Sequence, residues 1–167
     1  MAALQRCHTG IAGCNPESKA MKVCIVSSSG GHLDEVRAFR PAYEGYEHFY
    51  VINQPMKLTA DMEGRSYFVS HSERDWLFFF NLYEAWKILW KERPDVLLST
   101  GAGAIVPFSI IGRLFFRTKV VFVETLTRVR IPSLTGRIMY RLANRFYFQT
   151  EPLRGFFPKG IYKGSVL

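Results

Sequence analysis

The residues best suited to chemistry begin with a short polar stretch, in which Ser29, Gly30 and Gly31 precede His32. Glycines let a backbone approach a ligand closely, and the backbone amides at the start of a helix attract anions. The imidazole of His32 could act as a general base and deprotonate an acceptor hydroxyl. It could instead cap the helix or bond a neighbouring backbone group, and the local sequence leaves both roles open.

A second stretch repeats this combination of polar side chains and glycine. Thr100, Gly101 and Gly103 follow an apolar run, and a helical pattern with Pro107 near its start comes next. Proline suits an early helical position, where its missing N–H costs little. The amides of this stretch could face a phosphate, or the glycines could only form a tight turn between two packed elements.

The third stretch carries most of the charge. Glu124 ends an apolar run and could contact substrate, or it could bond the loop that follows. Arg128 lies in that loop, and a helix with a basic ridge comes next, at Arg137, Arg141 and Arg145. Such a ridge beside apolar residues suits a membrane interface or a lipid diphosphate, and a solvated helix face is the simpler alternative. We take Arg128 and Arg137 as candidate substrate-binding residues.

Alternating strands and helices must position these stretches. Short apolar runs predict strands at residues 22–27, 48–52, 67–69, 96–99, 119–123, 146–148 and 161–166. Helical patterns occupy residues 32–40, 75–91, 104–116 and 133–144. This alternation predicts an α/β fold, a Rossmann-like parallel sheet with helices on both faces. Such sheets bind ligands outside the carboxyl ends of their strands, where all three stretches fall.

The length of 167 residues fits one domain. Met21 stands directly before the first predicted strand. We therefore expect residues 1–20 to be an unstructured N-terminal extension and residues 21–167 to form the domain. No apolar run reaches the roughly 18 residues of a membrane-spanning helix. The three cysteines form no metal-binding or disulfide pattern, which favours a reducing compartment, and Cys24 is expected to be a buried thiol.

Charge is distributed unevenly along the chain. Residues 1–112 hold 11 basic and 12 acidic side chains, whereas residues 113–167 hold 11 basic and two acidic ones. This asymmetry favours an anionic partner, such as nucleic acid, an anionic membrane surface or a phosphorylated substrate. No nucleic-acid-binding motif accompanies the charge, so we expect no nucleic-acid partner. A dinucleotide-binding domain is disfavoured as well, because the first loop lacks a third glycine and no acidic residue ends the second strand.

Taken in order, the three stretches resemble a known family. The motifs are Ser28-Ser29-Gly30-Gly31-His32, Arg93-Pro94-Asp95-Val96-Leu97-Leu98-Ser99-Thr100-Gly101, and Val123-Glu124 leading to Ser133-Leu134-Thr135-Gly136-Arg137. They resemble the PssD-type bacterial exopolysaccharide proteins and, equally, the anchor subunit of the eukaryotic enzyme that adds the second GlcNAc to dolichol diphosphate-GlcNAc. The pattern is more distantly similar to the N-terminal domain of MurG. The resemblance runs over residues 21–166.

This resemblance implies the N-terminal, acceptor-side half of an inverting GT-B glycosyltransferase. A separate small subunit would bind the UDP-sugar, and the acceptor would be a polyprenyl diphosphate-linked saccharide. His32 would be the catalytic base and Glu124 would orient the acceptor or support its loop. Gly101 and Gly103 would lie near the acceptor diphosphate. No cofactor and no catalytic metal are implied, since amide dipoles and cations would offset the charge of the leaving group.

Two departures refine the expectation. Leu33-Asp34-Glu35 follows His32 where the eukaryotic pattern has Thr-Gly-Glu, and Gln149-Thr150 stands where the family usually has Gln-Trp. The first departure favours the bacterial branch, which is linked to exopolysaccharide assembly and glucuronosyl transfer. UDP-glucuronate is therefore the first expected donor, with UDP-GlcNAc or UDP-galactose second. The expected location is cytoplasmic, on the inner face of the plasma membrane. The alternative is a non-catalytic scaffold that recruits and activates the catalytic subunit there.

Overall fold

The computed structural model describes residues 20–53, 62, 64–69 and 77–165. Almost all of the expected N-terminal extension, including Cys7 and Cys14, lies outside these residues, so its status stays a prediction. Cys24 is fully buried, as predicted, and burial raises the pKa of its thiol well above the usual value. Within the described part of the chain, no helix is both long enough and apolar enough to cross a membrane.

In the part of the chain that the structure describes, seven parallel strands form one sheet in the order β3-β2-β1-β4-β5-β6-β7. The strands are β1 Lys22–Ser28, β2 Glu47–Asn53, β3 Ser66–Val69, β4 Val96–Ser99, β5 Lys119–Val123, β6 Arg145–Phe148 and β7 Ile161–Tyr162. The chain starts in the middle of the sheet, builds outward to β3, and then returns to the other side of β1. The order therefore reverses between β1 and β4, which is where open α/β sheets form a crevice.

Five α-helices and a 3-10 helix connect the strands in the described residues. They are α1 Gly31–Ala38, α2 Arg40–Tyr43, α3 Leu77–Glu92, α4 Ile105–Phe115, α5 Leu134–Leu142 and the 3-10 helix Glu151–Gly155. Ser133 caps α5, because its side chain accepts a hydrogen bond from the Gly136 amide at 2.8 Å. Serine is a preferred N-cap residue for this reason.

Alternate residues of the central strands enter two separate cores. Val23 and Ile25 of β1 pack with α1 and α2, whereas Cys24 and Val26 join the larger core beneath α3, α4 and α5. Successive side chains of a strand point to opposite faces, so both faces of the sheet are covered. Each fully buried large apolar side chain contributes about 1.5–3 kcal/mol to this packing. The predicted parallel sheet with helices on both faces is confirmed.

The predicted elements differ from the structure mainly at their ends. The last strand spans only two residues instead of residues 161–166, and the first two residues of the predicted helix over residues 75–91 lie outside the described residues. Sequence patterns also missed α2 and the 3-10 helix, which are four and five residues long. Such short helices lack the two turns of apolar periodicity that reveal a helix in a sequence.

Candidate functional site

The three chemically suited stretches meet at one edge of the sheet. β1, β4 and β5 are adjacent parallel strands, so their carboxyl ends lie side by side. The stretch containing His32 leaves β1, the stretch containing Thr100 leaves β4, and Glu124 follows directly after β5. The first two flank the point where the strand order reverses. The expected meeting of the three loops is thus produced by the topology.

His32 and Thr100 tie the first two loops together through a reciprocal pair of contacts. The imidazole Nδ1 of His32 lies 3.1 Å from the carbonyl oxygen of Thr100. In return, the hydroxyl of Thr100 donates to the backbone carbonyl of His32 at 2.9 Å. Thr100 is fully buried, while the His32 side chain keeps 30% of its surface exposed. The pair fixes the distance between the loops and leaves part of the ring facing solvent.

The contact to Thr100 also determines which ring nitrogen of His32 is available. A carbonyl oxygen only accepts hydrogen bonds, so Nδ1 must carry the proton when this bond forms. Glu35 Oε2, also an acceptor when ionised, lies 3.7 Å from the same nitrogen. In the neutral ring Nε2 then holds the lone pair. Both of the sequence-level possibilities are therefore compatible with this geometry: Nδ1 bonds the backbone, and Nε2 remains able to accept a proton.

Gly101 lies against the His32 ring. A Cβ built at position 101 would come within 2.8 Å of His32 Cε1, closer than real side-chain carbons approach. Gly101 also has a φ of +131°, a backbone conformation that residues other than glycine rarely adopt. Gly101 is required both by its own conformation and by the position of the imidazole.

The other glycines of the two loops border open space. A Cβ at Gly30, Gly31 or Gly103 would meet no atom within 4 Å, and all three residues are exposed. Ser29 is half-buried between β1 and α1. Because α1 begins at Gly31, the first amides of this helix are directed towards the crevice. The geometry leaves room for a ligand beside the His32 ring, with amide dipoles suited to an anionic group.

Glu35 is a site residue that the sequence interpretation did not single out. It is 4% exposed, and its Oε1 accepts hydrogen bonds from the Thr125 hydroxyl at 2.9 Å and the Leu126 amide at 2.7 Å. It therefore connects α1 to the loop after β5. The available signal was its spacing, since residues three apart share a helix face and Glu35 lies three residues after His32.

Glu124 is buried where α5 begins. Its Oε1 accepts a hydrogen bond from the Ser133 amide at 2.8 Å, while its Oε2 is buried and has no hydrogen-bond partner among the described residues. A Cβ at Gly136 would lie 1.7 Å from that oxygen, so the carboxyl occupies the space a side chain would need. Burial raises the pKa of Glu124, and the Ser133 bonds and the charges of Arg128 and His32 oppose this only in part. The structure supports the loop-bonding alternative for Glu124.

The two arginines predicted to bind substrate occupy different places. Arg128 is exposed in the loop after β5, and its charge acts on Glu124. Arg137, on α5, lines an open cavity of about 830 Å³ with Arg141 and Lys159, and no residue of the His32 or Thr100 loop lines this cavity. The structure therefore brings Arg128 near the crevice and does not bring Arg137 there. The reason is that α5 directs its basic ridge towards the 3-10 helix.

The departure at Gln149-Thr150 has a structural role at the same edge. The Gln149 side-chain amide donates to the Glu124 carbonyl at 3.1 Å, and the Thr150 hydroxyl donates to the Arg128 carbonyl at 3.1 Å. Both residues follow β6 and hold the loop after β5 from its outer side. The sequence could not show this, because the contacts join positions more than 20 residues apart.

Comparison with protein families gives one match. A model described as Alg14, "Oligosaccharide biosynthesis protein Alg14 like", matches residues 64–166. This match includes the Thr100 and Glu124 loops and covers more than half of the chain. The loop containing His32 precedes the matched residues.

Curated relatives cover more of the chain. The UDP-N-acetylglucosamine transferase subunit ALG14 of Rattus norvegicus is 25% identical, over 89% of this chain and 84% of the relative. The human protein of the same name is 24% identical over the same shares. The Candida albicans protein of that name is 30% identical over 62% of this chain and 48% of its own length.

Solved structures share the fold at low sequence identity. Acinetobacter baumannii MurG aligns with a TM-score of 0.63 and 15% identity, over 77% of this chain and 41% of that protein. A UDP-GlcNAc 2-epimerase of Methanocaldococcus jannaschii, solved with UDP-GlcNAc and UDP, aligns with a TM-score of 0.66 and 14% identity. The alignment covers 83% of this chain and 43% of the epimerase. The chain thus spans about two fifths of these structures. These matches confirm the predicted fold class, which is that of one half of a GT-B enzyme.

Proposed function

The chain belongs to the family of Alg14-like oligosaccharide biosynthesis proteins, and from this premise we propose that it is the acceptor- and membrane-side subunit of a two-component, inverting UDP-sugar glycosyltransferase. A separate donor-binding subunit supplies the other GT-B half, and the UDP-sugar lies at the subunit interface. The acceptor is a polyprenyl diphosphate-linked saccharide used in exopolysaccharide assembly. The complex works on the cytoplasmic side, at the inner face of the plasma membrane.

The contact between His32 Nδ1 and the Thr100 carbonyl is the observation that carries this proposal. It leaves Nε2 to accept the proton of the acceptor hydroxyl as that oxygen bonds to the anomeric carbon. The bond from the anomeric carbon to the diphosphate breaks on the opposite side, and UDP leaves with the electron pair. Glu35, 3.7 Å from Nδ1, stabilises the imidazolium that forms, as an acidic partner does for a catalytic histidine.

The remaining predicted residues divide into contact and support roles. The open space beside Gly30, Gly31 and Gly103 accommodates the acceptor diphosphate, with Ser29 and Arg128 at its margin. Thr100 and Gly101 position the His32 ring, and Glu124 supports the loop after β5. Arg137 belongs to the basic cavity beside α5, which fits an anionic membrane surface better than the reacting groups.

Two donors remain to be distinguished. The PssD-type resemblance favours UDP-glucuronate, whereas the names of the curated relatives specify a UDP-N-acetylglucosamine transferase. The relatives are matched over most of the chain, so we place UDP-GlcNAc first and UDP-glucuronate second, with UDP-galactose third. In this proposal the other subunit holds the donor, so the sugar has to be identified with the assembled enzyme.

A second candidate function is favoured by the same His32 contacts. Reciprocal bonds between the His32 and Thr100 loops would also be useful in a scaffold that holds an activating surface for a catalytic partner. In that case the imidazole is a structural link, and turnover belongs to the partner alone.

Reconstitution tests the proposal. The chain is co-expressed with a candidate donor-binding subunit, and transfer from a panel of UDP-sugars to membrane-extracted polyprenyl diphosphate saccharide is measured with each subunit omitted in turn. Transfer that requires both proteins supports the split enzyme and identifies its donor. Transfer by the partner alone would reduce this chain to a scaffold, and full activity of this chain alone would refute the two-subunit model.

A further inference from the structure

Large apolar side chains are exposed together on one side of the molecule. They lie on α3 and α4, with between 36% and 71% of their surface exposed. We call this set the aromatic face: Phe80, Tyr83, Trp86, Trp90, Leu114 and Phe115. Exposed apolar residues occur singly on every protein, but a contiguous patch usually marks a binding surface.

Helical spacing and ring contacts make the aromatic face continuous. Phe80, Tyr83 and Trp90 follow one another at intervals of three and seven residues, which places them along one side of α3. Trp86 stacks on Trp90 with ring centroids 6.0 Å apart and meets the Phe115 ring of α4 at 4.8 Å. From Phe80 to Trp90 the face extends about 15 Å, at the rise of an α-helix.

The segment of the chain that carries the aromatic face holds more cations than carboxylates. The Arg93 guanidinium lies over the Trp90 ring at 5.2 Å, and exposed Lys87 is three residues before Trp90. Described residues 77–119 contain these cations: Lys87, Lys91, Arg93, Arg113, Arg117 and Lys119. The same residues contain the carboxylates Glu84, Glu92 and Asp95, of which Glu92 and Asp95 bond Lys22 on the other side of α3.

This combination fits a lipid bilayer better than a protein partner. Tryptophan and tyrosine are enriched at the membrane–water interface, because they have an apolar body and a polar edge. Cations beside such residues attract anionic headgroups, by about 1 kcal/mol for each Lys or Arg near the surface. Protein interfaces are also enriched in aromatic residues and arginine, but they are depleted of lysine, whereas Lys87, Lys91 and Lys119 are all exposed in this segment.

We propose that the aromatic face docks on a bilayer containing anionic lipids, with its rings in the headgroup layer. α4 begins directly after the Thr100 loop and α3 packs beside it, so docking through these helices keeps the crevice next to the membrane. A lipid-linked acceptor could then reach His32 without leaving the bilayer. This use of the face rests on the proposed function, whereas docking itself requires no sugar transfer.

Vesicle flotation of the full chain tests the inference. The probe is a liposome of phosphatidylcholine, with or without phosphatidylglycerol. The test variant is Tyr83→Ser/Trp90→Ser/Leu114→Ser, which removes three well-exposed members, and the matched control is Tyr46→Ser/Phe68→Ser, which removes exposed rings elsewhere. A third variant, Lys87→Glu/Arg117→Glu, changes only charge. Circular dichroism confirms that each variant is folded.

We expect the wild-type chain and the control to float with phosphatidylglycerol vesicles. The face variant should lose affinity by about tenfold or more, and the charge variant by a similar factor at low salt, with a smaller difference at high salt. Equal losses in the face variant and the control would overturn the inference. The inference would also be overturned if the face variant bound vesicles normally but no longer bound the donor-binding partner, or changed its oligomeric state. The face would then contact protein.

Discussion

The crevice and the aromatic face use side chains in opposite ways. In the crevice, polar groups such as Thr100 and Glu35 are buried and bonded across loops that are distant in sequence. On the aromatic face, apolar rings such as Trp90 are exposed and in contact mainly with one another. The first arrangement depends on individual atoms, whereas the second depends on summed area and charge. Single substitutions should therefore be severe in the crevice and mild on the face.

The largest effect is expected at His32. His32→Ala should lower kcat of the reconstituted transferase by about 10²–10⁴-fold, because a positioned general base contributes that much. Steady-state transfer with both subunits present measures it, and binding of the partner subunit should be unchanged. His48→Ala, which removes an imidazole at the start of β2, is the matched control and should retain activity. Retention of turnover by His32→Ala would support the scaffold alternative.

Gly101 offers a second way to disturb the crevice. Gly101→Ala places a methyl group against the His32 ring in a conformation unfavourable to alanine, so we expect a loss of about 1–3 kcal/mol of stability and a lower kcat. Gly45→Ala is the control, because its Cβ would also meet open space and Gly45 lies outside the crevice. Chemical unfolding and transfer assays compare the two. Equal behaviour of both variants would contradict the close contact at His32.

Substitutions at Glu35 distinguish the effect of its charge from the effect of its hydrogen bonds. Glu35→Gln keeps an oxygen for Thr125 and Leu126 but removes the negative charge near His32, so kcat should fall by about tenfold with KM nearly unchanged. Asp34→Asn, at the exposed neighbouring position, is the control and should behave as wild type. Glu35→Ala should in addition cost about 1–3 kcal/mol of stability, since buried donors lose their acceptor. A rise in KM for the acceptor with kcat unchanged would assign Glu35 to acceptor binding.

The smallest effect is expected from the ionisation of Glu124. Burial raises its pKa in the folded protein above the ordinary 4.5, so the folded state holds this proton more tightly than the unfolded state does. Its stabilising contribution is therefore complete below about 4.5 and is lost as the pH rises through the folded-state pKa. Unfolding of wild type and Glu124→Gln across this range should show a stability difference that changes with pH in this direction. A pH-independent difference would mean that the pKa of Glu124 is the same in the folded and unfolded states.

Much of the crevice could be predicted from local sequence. Apolar runs revealed β1, β4 and β5, and the residues after each run necessarily meet at one edge of a parallel sheet. His32, Thr100 and Gly101 were identified for this reason, and the structure brings them into contact. Local sequence patterns thus predict which residues follow the carboxyl end of each strand.

Other parts could not be predicted, because they depend on contacts between distant residues. Glu35 is buried only because the loop after β5, 90 positions later, folds over α1. Arg137 belongs to the same basic stretch as Arg128 but faces another cavity, since the orientation of α5 is set by packing. The part of the aromatic face on α3 was missed because this helix is rich in apolar residues, and a sequence does not show which of them the neighbouring helix leaves uncovered.

The central claim is that the crevice and the aromatic face have separate roles. Comparing the transfer rates of two variants on two acceptors tests it most directly. His32→Ala and Tyr83→Ser/Trp90→Ser/Leu114→Ser are each assayed with the partner subunit, on an acceptor embedded in anionic vesicles and on a short-chain acceptor in detergent. We predict that His32→Ala is slow on both acceptors, and that the face variant is slow only on the embedded one. Equal loss by the face variant on both acceptors, or normal turnover of the soluble acceptor by His32→Ala, would contradict the account.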